Sequence, residues 1–494
     1  MVGCDRARPG RRAGKGEEGP ERVDDPHTDP ATARPDTSAI ASYFKFAERK
    51  TDLATEIRAG VTTFAVMAYI IFLNPLILGV TTEDGTLVGP NPVAVGAATA
   101  LIAGIMTIAM GVVGNVPIAI AAGLGINGVV AFGLILGRGL TWQGAMGVIL
   151  IEGVVITLLV LVGLREAIMD AVPANLKRAI AVGIGLFILF IGAVDGGLVA
   201  ATGNPVPPVA LVFPTTMNHL VTIIGLAVTI ALYVMKVRAA LLISIVVTTV
   251  VAIVVTELGL GDVKALPETF SSTIDLSTLF QANPTEVFEK LGVITAVLVI
   301  FSIMLSDFFD RMGTVTAVSE EAGIMTPEGK VPNLGRVLLV DSVAAAAGGL
   351  AGTSSNTSYI ESAAGVGEGG KTGFTSVVTG LLFLVGIVAA PLVTLIPFEA
   401  SGPVLILVGF LLFTQVREID VRDAEEGIPA LLTLILMPLT FDITVGIGAG
   451  FVSWVFIKVI RGKFAAVHPL MWIVAIAFLI FFAREWLQSF IPAA

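Results

Sequence analysis

Apolar runs of about 17–25 residues, separated by short polar links, recur from Ala59 to Phe482, and that is the length a helix needs to cross a bilayer. At membrane depth every backbone amide and carbonyl must find its partner inside the protein. A chain with this pattern is therefore expected to be an all-α polytopic membrane protein. Hydrophobic residues make up 55% of the 494, charged residues 14%, and mean hydropathy is +0.92. Soluble domains are roughly 25% charged.

The rest of the composition narrows the class. Net charge is −10, from 29 basic and 39 acidic residues, and no basic patch interleaves with aromatics, so nucleic acid is not an expected partner. The single cysteine, Cys4, excludes a disulfide framework within the chain and a cysteine metal cluster. The histidines His27, His219 and His468 are too scattered for a metal site. No nucleophile–base pair or cofactor motif appears, so neither catalytic residues nor a cofactor are expected.

Residues 1–42, rich in Pro, Arg, Glu, Asp and Gly, read as a disordered tail. They contain no apolar core of a cleaved signal, so the first span directs insertion. An amphipathic lead-in, 43–50, follows. The candidate spans of the first half are 59–80, 91–113, 117–133, 143–164, 175–195, 217–236 and 238–256. Those of the second are 288–312, 336–352, 356–368, 373–396, 402–416, 428–461 and 468–488, with 428–461 interrupted at Pro438 as one bent helix or two short ones. The division is a tail (1–42), a first half (43–260), an extracellular link (261–286) and a second half (287–494).

Lys45, Arg49, Lys50 and Arg58 before the first span place the N-terminus in the cytoplasm. Counting crossings puts Arg165, Lys177, Lys236, Lys330, Lys371 and Arg417 on the same side and the acidic link 258–286 outside. The count fails at Lys458, Arg461 and Lys463 if 428–461 crosses once.

Two segments are poor continuous helices: Gly123 to Gly128 in the third run, and 353–365 in the tenth. Irregular backbone at membrane depth is tolerated only when buried in protein or lining a cavity. Paired interruptions in corresponding positions point to a transporter site between inverted repeats, here of seven spans each. The carboxylates agree. Asp307 and Asp310 end the apolar run Leu291–Leu305, and Glu361 follows a run of small hydroxyl residues. Acidic groups at such depth face a cavity, a partner or a substrate.

Asp307 and Asp310, three apart, share one side of a helix. With Glu361 they can accept from a substrate's N–H groups, bind a proton or ligate a cation. The plainer reading for Asp310 is an ion pair with Arg311 at a helix end. Asn127 offers a donor and an acceptor, or simply caps a turn, and Gly125 permits close backbone approach. Phe308, Phe309 and Tyr359 stack on a planar ligand or serve packing. For Glu152, Asp341 and Asp442 a structural role reads at least as well.

Several blocks resemble the AzgA-like hypoxanthine/guanine permeases of the nucleobase–ascorbate transporter superfamily. They are Phe46-Ala47-Glu48-Arg49, Glu56 to Phe64 with Asn74-Pro75, Gly123-Leu124-Gly125-Ile126-Asn127, Asp307-Phe308-Phe309-Asp310, Asn356 to Ala363, and Pro429 through Thr440. The resemblance covers about residues 43–490. It implies fourteen spans as two inverted seven-span repeats, a core and a gate domain, short extended pieces in spans 3 and 10, and elevator-like motion of the core. It implies proton-coupled uptake of hypoxanthine, guanine and adenine across the cytoplasmic membrane. Asp307 and Glu361 then hold the purine and are candidates, with Asp310, for proton coupling, while Gly125, Asn127, Phe308 and Tyr359 belong to the substrate site. The chain departs from the pattern at Gly128-Val129-Val130 and at Arg311-Met312. Other readings are a carrier for uracil or xanthine, an anion exchanger of the same architecture, a membrane enzyme or a pore. A homodimer is compatible with all the carrier readings.

Overall fold

The computed structural model describes residues 38–82, 84–163, 171–203, 207–212, 214–266, 273–327 and 330–488, the side chains of 309, 310 and 484–488 excepted. Residues 1–37 of the expected tail lie outside that description. Its last residues are helical: Ser38 caps α1 (Ala39–Phe44) by accepting from the Ala41 amide, and α2 (Phe46–Arg49) follows after Lys45, at φ 62°. Phe44 and Phe46 are buried edge-on against Phe374, so apolar contact orders the chain about four residues before the expected boundary.

Among the described residues, eleven helices are long and apolar enough to cross a membrane. The first breaks into α3 (Leu53–Met67) and α4 (Ile70–Leu78), with Tyr69 at the break and Pro75 inside the second piece. Next come α5 (Pro92–Ala109), the three-residue strand β1 (Ile120–Ala122), α6 (Leu124–Gly128) and a π-helical stretch, Val129–Leu136. Then follow α7 (Trp142–Leu161), α8 (Ala174–Asp195), the small hairpin β2 (Val199–Ala201) and β3 (Val209–Leu211), α9 (Met217–Val234) and α10 (Ala240–Glu257).

In the second half, α11 (Pro284–Leu291) is a separate amphipathic helix. Gly292, at φ 71°, ends it, so the eighth span starts at Val293 rather than 288, as α12 (Val293–Glu321). There follow α13 (Leu334–Ala351), β4 (Asn356–Ser358), α14 (Ser362–Gly367), α15 (Gly373–Gly386) and α16 (Phe398–Phe413). The chain closes with α17 (Ala424–Thr440), α18 (Ile443–Ile460) and α19 (Pro469–Gln488).

The stretch 428–461 is two helices. The break falls at Phe441, not at Pro438, which α17 absorbs close to its end. Phe441 adopts φ 52° and its ring sits 5.2–6.4 Å from those of Phe132, Phe187 and Phe190, while Asp442 caps α18 by accepting from the Thr444 amide at 2.8 Å. α17 and α18 then run antiparallel in close contact: an added Cβ would lie 2.4 Å from Met437 at Gly446 and 2.0 Å from the Thr433 hydroxyl at Gly450.

The two interrupted segments meet. β1 and β4 pair antiparallel, Ile120 opposite Ser358 and Ala122 opposite Asn356, and the Gly123 amide extends the ladder to the Ser355 carbonyl at 2.8 Å. All six strand residues are buried. Two strands cannot satisfy both edges, so neighbouring helices supply the missing partners. Thr107 bonds both the amide and the carbonyl of Ile120 at 2.9 and 3.0 Å, and Ser376 donates to the carbonyls of Val116 and Ile118 at 2.8 and 2.9 Å. Ser362 accepts from the Ala119 amide at 3.0 Å.

Candidate functional site

Asp307 lies on α12, one turn before Arg311, and that spacing puts the two side chains on one face. The Arg311 Nε donates to Asp307 Oδ1 at 3.1 Å and its Nη2 to Oδ2. Arg311 also pairs with Asp341 of α13, Nε to Oδ2 at 3.0 Å. Ser355 donates to Asp307 at 2.5 Å and Ser358 to Asp341 at 2.8 Å. The three charged residues are at most 2% exposed. The guanidinium therefore ties α12 to α13 and to the loop entering β4, whose Asn356 carbonyl it reaches at 3.4 Å. Arg311 is not simply a helix-end partner for its neighbour Asp310, whose side chain lies outside the described residues.

A fourth charged group faces this cluster. Glu152 of α7 is fully buried, and the charges it meets are Asp307, Arg311 and Asp341. Neither of its oxygens has a hydrogen-bond partner among the described residues.

Glu361, just ahead of α14, accepts from the Tyr69 hydroxyl at 2.7 Å. The break between α3 and α4 is what brings Tyr69 there. Tyr359 is buried and its hydroxyl donates to the Ala122 carbonyl, which fastens β4 to the end of β1. Phe308 is buried as well. Asn127 on α6 is wholly buried with neither end of its amide partnered among the described residues.

Asp307 and Gly125 border one cavity of about 40 Å3, with Gly123, Ile126 and Ser306 on the same side and Ala181, Ile184 and Leu412 of α8 and α16 opposite. That is room for no more than a few waters. Gly125 is the close approach: a Cβ there would lie 2.7 Å from Ile184. Asp307 and Gly125 thus share a cavity. Glu361 stands with Tyr69, and no described hydrogen bond joins it to Asp307.

Sequence reasoning missed Arg311, Asp341, Glu152 and Ser355 as neighbours of Asp307 in one polar cluster, and Tyr69 as the partner of Glu361. The Asp307/Arg311 spacing was a usable signal. Asp341 and Tyr69 reach their partners across 30 and 292 residues, and no local pattern announces that.

The comparisons with known proteins fall in line. The chain is 37% identical over 451 residues to the guanine/hypoxanthine permease PbuG of Bacillus subtilis, covering 90% of this chain and 99% of that one. It is 36% identical over 448 residues to the adenine permease AdeQ of Escherichia coli, covering 90% and 96%. Among solved structures, the transmembrane domain of the cyanobacterial bicarbonate transporter BicA superposes with a TM-score of 0.58 over 80% of this chain and 97% of that one. At 15% identity that likeness shows the fold alone. The model of the Permease family (Xan_ur_permease) matches residues 54–449, and the chain belongs to that family of membrane transporters.

Proposed function

We propose that this chain carries purine nucleobases (hypoxanthine, guanine and adenine) into the cell across the cytoplasmic membrane together with a proton, by alternating access. The observation that carries the reading is its likeness, over nine-tenths of its length, to permeases named for guanine, hypoxanthine and adenine. The geometry agrees with it. Asp307 and Glu361 present acceptors for ring and exocyclic N–H groups, the Asn127 amide, unpartnered among the described residues, offers both a donor and an acceptor, and Gly125 keeps a Cβ out of the cavity. In this reading Phe308 and Tyr359, both buried, complete the set of site residues.

A cavity of about 40 Å3 is too small for a purine, so loading requires α8 and α16 to part from α6 and α12. In an alternating-access cycle the first pair belongs to the gate and the second to the core. Glycines 185, 192, 402 and 409 give the gate pair a backbone-to-backbone seam, with added Cβ atoms 2.5–2.8 Å from the facing chain, as small residues do between membrane helices. Such a pair moves as one body.

The break at Phe441 also supports an N-terminus in the cytoplasm. With α17 and α18 as separate crossings, Lys458, Arg461 and Lys463 join the other basic links on one side. Seven segments end at α10 and seven more at α18, with β1 and β4 third in each set, and α19 follows as an additional helix.

An anion carrier is the second reading, favoured by the buried Arg311. One guanidinium among three carboxylates is nevertheless a poor anion site. In proteoliposomes, unlabelled purines should displace labelled hypoxanthine while uracil, sulfate and bicarbonate do not, and Asp307→Asn or Glu361→Gln should abolish uptake. Competition by sulfate or bicarbonate, or full activity in both variants, overturns the reading.

A further inference from the structure

Glu152 has no role in the site as described, yet it is the group whose surroundings are least explained. Asp307 and Asp341 have their charges met by Arg311, Ser355 and Ser358. Glu152 lies near the Arg311 charge but makes no hydrogen bond to any of these groups among the described residues. It is 0% exposed and both its oxygens lack a partner among the described residues. An ionised carboxylate so placed costs far more than a protonated one, and the protonated form needs only an acceptor for its O–H.

Among the described residues, the elements packed on α7 supply no further cation facing it. α13 contributes Asp341, and α12 contributes Asp307 and Arg311. α11 carries Glu286, Glu289 and Lys290, but it crosses at Gly144 and Gly147, about two turns away along α7. The π-helical stretch brings no charge. α7 and α13 touch backbone to backbone beside Glu152, since a Cβ at Gly153 would lie 2.3 Å from the Ala346 amide and one at Gly349 2.7 Å from the Leu150 amide.

We propose that Glu152 is the proton-binding residue of the carrier, its carboxylic O–H donating to Asp307. The inference rests on the proton-coupled reading above and deepens it. With the proton in place the cluster carries one net negative charge, and Arg311 stays on Asp307, holding that carboxylate toward the cavity it borders. When the proton leaves, Glu152 becomes a third claimant for Arg311, beside Asp307 and Asp341, and a like charge next to Asp307, and that carboxylate loses the orientation a base requires. Base and proton thus favour the same state, as symport demands.

The test compares accumulation with exchange in proteoliposomes. A one-to-one proton symporter reaches tenfold accumulation of labelled hypoxanthine per pH unit of inward acid gradient. Counterflow exchange, at whatever rate each protein supports, is the denominator. The Glu152→Gln variant, locked in the neutral form, should lose the gradient-driven excess and only equilibrate, at a ratio of about one by the same relation. Wild-type accumulation persisting in Glu152→Gln overturns the assignment and leaves proton coupling standing. A wild-type protein indifferent to the gradient overturns both. If Glu152→Gln shows no exchange at all, Glu152→Asp decides: a shifted pH midpoint of accumulation supports the proposal, and a midpoint identical to wild type refutes it.

Discussion

Replacing Arg311 with methionine tests the buried cluster most directly. The guanidinium is 2% exposed and serves two carboxylates that are 1% and 0% exposed. Removing one partner of a buried pair costs about 3–5 kcal/mol, because the charge left behind has lost both water and counterion. Arg311 leaves two such charges, so the upper end applies, about 5 kcal/mol. At roughly 2 °C per kcal/mol for a large domain, apparent Tm in detergent should fall by roughly 10 °C. The tryptophans, Trp454 and Trp472 among them, give a fluorescence readout. Arg311→Lys should fall between, since an ammonium cannot bond two carboxylates as a planar fork does. Asp341→Asn is the control with the opposite charge sign. It keeps an acceptor for Ser358 and removes one acid from a cluster with acids in excess, so its cost should stay below about 2 kcal/mol. An Arg311→Met protein within about 2 °C of wild type, or an Asp341→Asn protein equally damaged, refutes the account of which charge is in short supply.

Two other carboxylates act away from the cavity. Glu56 on α3 is fully buried and accepts from the amides of Lys371, Thr372 and Thr375 at 2.9–3.3 Å and from the Thr372 and Thr375 hydroxyls at 2.8 and 2.6 Å; it holds the start of α15. Glu56→Ala should cost about 3 kcal/mol or more, a drop in detergent Tm that an unchanged melting curve would contradict. Glu286, outside the spans, is pushed up by burial, but hydrogen bonds from Thr141 and the nearby Lys290 outweigh this and hold it below its ordinary 4.5. Its contribution is present above pH 4.5 and is lost as pH falls through the lowered folded value. Wild-type Tm should therefore decline on acidification below that point more steeply than Glu286→Gln, and parallel profiles would remove Glu286 from the explanation.

The readable parts of the fold were those whose cause is local. Gly123 to Gly128 and the hydroxyl-rich run before Glu361 announce interrupted helices because small and polar residues stand where lipid-facing ones belong, and the paired strands lie there. The break in 428–461 was placed wrongly because Pro438 is the louder local signal. What decides it is tertiary: an aromatic nest for Phe441 and glycines that let α17 and α18 touch. Asp442 two residues before Thr444 was a legible capping pattern. Asp307 was legible as a costly group, but not what compensates it, since Asp341 and Ser355 arrive from other elements. Glu56 gave no sign of its task more than 300 residues away.

The paired strands explain why the two halves divide the work unequally. β1 and β4 each lean on the other for hydrogen bonds, so the third and tenth segments keep their shape only together. Beyond β1 the chain supplies space and an uncommitted amide, Gly125 and Asn127. Around β4 it supplies charge, with Asp307 and Asp341 gathered by Arg311 and Glu361 held by Tyr69. Among the described residues, the acid that the first half brings to the charged side is Glu152, and it arrives without a hydrogen-bond partner. Under the proposed symport, such an arrangement divides the labour: the compensated carboxylate beside the cavity would meet the base, and Glu152 behind it would register whether a proton is present.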